Sequence, residues 1–137
     1  MPTAEQFDEA KTRFFVLADE TEELVRPTRR AMGPDVLTGG TLTDDVDGFI
    51  DATGVRLDSV AESLRELARE CRKRAEECRQ AAAARDVFLA AGVEHTSSLA
   101  QHQERTAAYA LDPAAGNPGP PPTAPKPPPK PPPYVDI

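Results

Sequence analysis

Apolar and small residues recur at gaps of three and four over long stretches of this chain, the spacing of helices that each bury one narrow stripe. In residues 3–32 the stripe reads Phe7, Ala10, Phe14, Leu17, Thr21, Leu24, Thr28 and Ala31. Thr3 and Gln6 after Pro2 form a capping box, in which each side chain accepts from the other's backbone N–H. Pro27 interrupts the pattern, because it lacks a donor and its ring presses on the carbonyl one turn back. A kink or fraying of the last turn is expected there.

Residues 33–42 carry Gly33-Pro34, Asp35 and Gly39-Gly40 and read as a turn. A second start signal follows, with Thr43 as N-cap and Asp44, Asp45 and Asp47 at the positive end of the helix dipole. The stripe resumes as Val46, Ile50, Thr53, Leu57, Val60, Leu64, Leu67, Cys71, Arg74, Cys78, Ala81, Arg85 and Phe88. Sustained over about six heptads, it is a coiled-coil seam. Gly92 reads as the C-terminal stop of this helix. A shorter third helix is expected from Ser97 or Ser98 to Leu111, with Leu99, His102, Thr106 and Tyr109 on one side.

The fold expected is all-α: an antiparallel helical hairpin over residues 1–92, a short third helix within 93–112 and a disordered proline-rich tail over 113–137. The two long helices should measure roughly 42 Å and roughly 70 Å at about 1.5 Å per residue. The longer one then overhangs its mate with Cys78, Ala81 and Phe88 still on its stripe. Either the third helix or a partner chain must cover that strip.

Composition sharpens this picture. Most of the 15 prolines lie beyond residue 112, aromatics make up 5% of the 137 residues, and tryptophan is absent. Narrow helix–helix seams suit so few large side chains better than a broad core does. The net charge is −7, and no basic stripe stands out from acidic neighbours, which argues against nucleic acid. The first residues lack the basic and apolar stretches of a cleaved signal, and no run is long enough to span a bilayer. Synthesis in the cytoplasm is expected, with export by a route without a cleaved signal left open.

Reactive groups are scattered rather than gathered. Asp44, Asp45, Asp47 and Asp51 crowd a helix start, where dipole and capping explain them. His95 and His102, like Cys71 and Cys78, stand seven residues apart, without the close pairing of zinc modules. Seven helical residues rise about 10.5 Å, too far for a disulfide within one helix. The thiols read as small core residues. Two copies pairing antiparallel about Arg74 and Ala75 would bring Cys71 opposite Cys78 of the mate. No nucleophile triad, phosphate loop or dinucleotide fingerprint occurs. A non-enzymatic protein follows, with no catalytic, cofactor or metal residues assigned. Its expected partner interface is Leu57, Val60, Leu64, Leu67, Cys71, Cys78 and Phe88.

In the tail, Lys126-x-x-Pro129-x-x-Pro132 fits one orientation of an SH3 ligand. Pro131-Pro132-Pro133-Tyr134 fits a WW-type ligand. A stiff spacer in polyproline II conformation is the plainer reading of the same composition.

Residues 3–90 resemble the WXG family of helical hairpins associated with type VII (ESX) secretion in actinobacteria. The resemblance lies in a long helix, a Gly-rich turn, a second long helix, and the phrasing Val46-Asp47-Gly48-Phe49-Ile50-Asp51 before Leu57, Val60, Leu64, Leu67 and Ala68. The turn motif is degenerate, with Ala31-Met32-Gly33 where the family has Trp-x-Gly. The family's Tyr-x-x-x-Asp/Glu export signal has no match, since Tyr109 is followed at that spacing by Pro113. The resemblance implies a four-helix dimer, with itself or a related small hairpin, acting as a secretion substrate or substrate partner. The alternative is a cytosolic coiled-coil adaptor or scaffold that presents its proline-rich tail.

Overall fold

The computed structural model describes residues 2–31 and 41–134, and every regular element in it is helical. Most of the expected turn, with Gly33, Pro34, Gly39 and Gly40, lies outside the described residues, as do Val135, Asp136 and Ile137. Helix α1 spans Ala4–Glu23, α2 spans Arg26–Ala31 and α3 spans Thr41–Leu111. A single 3₁₀ turn, Pro113–Ala115, follows.

The start of α1 is the predicted capping box. Thr3 Oγ1 accepts from the Gln6 backbone N–H at 3.3 Å, and the Thr3 N–H donates to Gln6 Oε1 at 2.9 Å. The helix ends at Glu23, four residues before Pro27. That carbonyl is the one a proline at 27 neither bonds nor tolerates, so the chain bends through Leu24 and Val25 before α2 resumes.

Three expectations about the second helix are corrected. It begins at Thr41, so Thr43 lies inside it and is not its N-cap. It does not stop at Gly92, and no separate third helix exists: residues 41–111 form one helix of 71 residues. Gly92 keeps an ordinary negative φ, the only described positive-φ glycines being Gly116 and Gly119. An interior glycine costs only about 1 kcal/mol against alanine. The flanking Ala90, Ala91 and Val93 supply enough helix to carry it through.

The third correction concerns the stripe itself. Fully buried positions on α3 are Ala61, Ala68 and Ala75, each at 0% exposure, with buried Gly54 one heptad earlier. Val60 and Leu67, placed inward by the sequence pattern, are each 50% exposed. Leu57, Leu64 and Cys71 are half-buried and Cys78 is buried. The seam therefore reads 54, 57, 61, 64, 68, 71, 75, 78, a three-four alternation offset from the expected one at every second position. On α1 the buried residues are Phe7 and Ala18. Small residues at the contact let helix backbones approach closely, and size alone does not reveal which of two neighbouring residues faces in.

The chain divides into two compact units, Met1–Glu77 and Cys78–Ile137. In the first, α1 and α2 lie against α3. Contacts climb α3 as they descend α1: Leu24, Val25 and Thr28 share a cleft with Phe49, Ile50, Thr53 and Leu57, and Asp19 and Glu22 meet Arg65. In the second, the tail turns back onto α3. Asp112 Oδ1 accepts from the Ala114 N–H and Asn117 Oδ1 from the Gly119 N–H, at 3.0 and 2.9 Å. Gly116 and Gly119 take φ of 89° and 76°, where a side chain would be strained. The His102 ring Nε2 then lies 2.9 Å from the Gly119 carbonyl oxygen, and Pro125–Pro129 line one open cleft with Ala83, Ala84, Val87, Phe88 and Ala91. Beyond Ala115 the tail has no regular secondary structure as far as Tyr134. A strand with preset φ and few N–H groups loses little by lying against an apolar helix face.

Candidate interaction surfaces

Two kinds of surface flank the small-residue seam in the first unit. One is charged. Arg65, on α3, donates from Nη1 to Glu22 Oε1 at 2.5 Å and from Nη2 to Glu22 Oε2 at 2.9 Å, and Nη2 also reaches Asp19 Oδ1 at 3.1 Å. The fork of a guanidinium matches a carboxylate in this bidentate way. Donation by Arg65 holds the Glu22 carboxyl below its ordinary pKa, and the two carboxylates raise that of Arg65. Other ion pairs join neighbours on one helix, such as Lys11 to Asp8, Arg13 to Glu9 and Arg74 to Glu70. Arg69 reaches back two turns to Glu62. These are surface pairs of small individual weight.

The other surface is apolar. Phe49 is 72% exposed and Leu24 63%, and the two line the same cleft. Val60, Leu67 and Leu17 join them as large apolar side chains left substantially in water. Leu17 and Leu24 lie on the stripe expected to face inward on the first helix, and both are exposed instead.

The other expected interface residues are distributed differently. Leu57, Leu64 and Cys71 are partly buried within the chain, and Cys78 is buried. Both cysteines are free thiols. Phe88 belongs to the second unit, is half-buried and lines a cleft with Pro125–Pro129. Among the described residues, no three His, Cys, Asp or Glu side chains converge as metal ligands would. No helix is long and apolar enough to cross a membrane among them. The tail residues Pro131, Pro132 and Tyr134 are half-buried, and Pro133 is exposed. No protein family, characterised protein or solved structure matches the chain.

Proposed function

We propose that this chain is a non-enzymatic helical interaction protein: α1 and the first half of α3 form an antiparallel hairpin whose apolar side takes a second hairpin, of this chain or a related one. The observation that carries the reading is the strip of large apolar side chains outside the alanine seam. Val60 and Leu67 each precede a fully buried alanine. Leu17 precedes fully buried Ala18, and Phe49 and, in the bend after α1, Leu24 precede half-buried Ile50 and Val25. One residue turns about 100° around a helix, and in an antiparallel pair the same backward turn on both helices leads to the same side. Asp19, Glu22 and Arg65 take the forward turn and meet on the opposite side. The backward side is left for a partner, and the forward side carries this charge cluster along with exposed Phe15 and Val55.

Burying half-exposed Leu and Val against a second copy is worth roughly 25 cal/mol per Å² of apolar area. The resemblance to WXG hairpins makes a type VII secretion substrate or substrate partner the role within this reading. The protein would be made in the cytoplasm and exported without a cleaved signal, with the partner supplying the export motif. The test is sedimentation equilibrium of the chain alone and co-expressed with a small hairpin protein of its genomic neighbourhood. A dimer or heterodimer is expected, reverting to monomer in Val60→Glu/Leu67→Glu. A wild-type chain that stays monomeric in both settings refutes the reading.

A second reading, an adaptor that presents its tail to another protein, is favoured by Pro131-Pro132-Pro133-Tyr134. Pull-down of partners that depends on Tyr134 but not on Val60 or Leu67 separates it from the first.

A further inference from the structure

The tail's burial has a period of three. Pro122, Pro125, Pro128, Pro131 and Tyr134 are half-buried, and from 123 to 130 every residue between them is exposed. Polyproline II has three residues per turn, so this is one ridge of such a helix turned inward. Facing it, α3 offers Ala83, Ala84, Val87, Phe88 and Ala91. Ala84 and Ala91 are half-buried in this bed with the larger Phe88, while Ala83 and Val87 stand exposed at its edge. Four residues of the bed line up at the gaps of three and four that keep one helix face. At the far end, the positive-φ Gly116 and Gly119 reverse the chain, and the Gly119 carbonyl sits 2.9 Å from His102 Nε2.

The inward ridge runs through the recognition motif. Pro131, Pro132 and Tyr134, the side chains a WW-type groove would take, are the half-covered ones, and the spacer Pro133 is exposed. Such grooves hold polyproline II by its apolar ridges. The same ridge cannot lie on α3 and in a partner's groove at once.

We propose that the second half of α3 holds the tail in cis as a helix–polyproline pair, and that this contact withholds Pro131-Pro132-Pro133-Tyr134 from WW-type domains. The inference stands apart from hairpin association, which concerns the first unit. It makes the chain's ligand conditional: a competing domain meets only the fraction of molecules whose tail has lifted, and its apparent affinity falls by that fraction.

The full-length chain tests this in two measurements. Carbon-detected NMR reads proline signals directly, and Ala84→Glu/Ala91→Glu places charges at the half-buried positions of the bed using good helix formers, with exposed Ala82→Glu beside it as control. In the wild type and the control, the signals of Pro122–Pro131 should relax as slowly tumbling, folded residues do. In the double variant they should sharpen to random-coil values while far-UV circular dichroism is unchanged. A WW domain of the Pro-Pro-x-Tyr class should then bind the double variant about tenfold tighter than the wild type, as expected when the tail is free about one-tenth of the time. Random-coil tail signals in the wild type overturn the proposal. So does equal affinity of the WW domain for wild type and variant, or binding to neither.

Discussion

At the scale of single residues, the seam turns on side chains that carry almost no hydrophobic weight. Ala68 is fully covered and Leu67 half open, so the two neighbours should respond oppositely to mutation. Ala68→Leu should cost about 1–3 kcal/mol by overpacking a closed contact, read as the midpoint of urea unfolding. Leu67→Ala should cost under about 1 kcal/mol, because half of that side chain already faces water. The reverse ranking would restore the seam suggested by residue size. Gly92 gives a second test. A methyl group added there meets nothing within 4 Å and the backbone is helical, so Gly92→Ala should raise stability by about 0.8–1 kcal/mol. A helix that stopped at Gly92 in the left-handed conformation would lose stability instead. The capping box and the proline break were legible in the sequence because each rests on backbone chemistry local to a few residues. The seam's exact face was not. Leu57-Val60-Leu64-Leu67 and Leu57-Ala61-Leu64-Ala68 have the same spacing, and only the packed partner selects between them.

At the scale of elements, the continuity of α3 and the fold-back of the tail were the parts the sequence concealed. A glycine is both a stop and a tolerated interior residue, and residues 97–111 have helical character whether or not a break precedes them. The tail's composition excludes a core of its own but says nothing about lying on another element's face. Between α1 and α3 the ion pair of Arg65 with Glu22 and Asp19 predicts a pH response. Glu22 is lowered from its ordinary 4.5 by the hydrogen bond from Arg65, so its contribution is present in full above that value. It is lost as pH falls below 4.5 through the lowered pKa. Acid titration followed by thermal unfolding should show a smaller drop below pH 4.5 for Arg65→Met than for the wild type. Both partners are accessible to solvent and salt, so the difference should shrink in high salt. An identical acid profile for the two proteins would mean that the pair does not persist in solution.

At the scale of the whole molecule, one long helix passes through surroundings that differ along its length. Residues 54–78 include the fully buried seam, 81–102 have a half-covered stripe, and every residue from Gln103 to Leu111 is exposed. Amide exchange follows such gradients of local stability. Hydrogen-exchange mass spectrometry should therefore give the slowest exchange in the seam, intermediate rates across 81–102 and the fastest in 103–111. Uniform protection to Leu111 would require a cover for that last stretch. The tail's near lack of N–H groups in its proline runs makes it almost silent in the same experiment, and its docking would be seen only through protection of α3 beneath it.

The alanine seam also sets what a mutational survey of this protein can find. The usual way to chart a core is to cut side chains back to alanine and record what is lost. Here Ala61, Ala68 and Ala75 are already alanine, so that scan passes over the most tightly closed contacts without a signal. Its largest effects would fall on half-exposed leucines and on Phe7, and would draw the centre of the structure to one side of where it lies. Only a scan that enlarges residues would register the seam, and the same asymmetry governs natural drift. These alanines have little room to grow, and shrinking one to glycine costs about 1 kcal/mol of helix stability, so the tolerated alternatives narrow to alanine, serine and glycine while the outer strip stays free to vary.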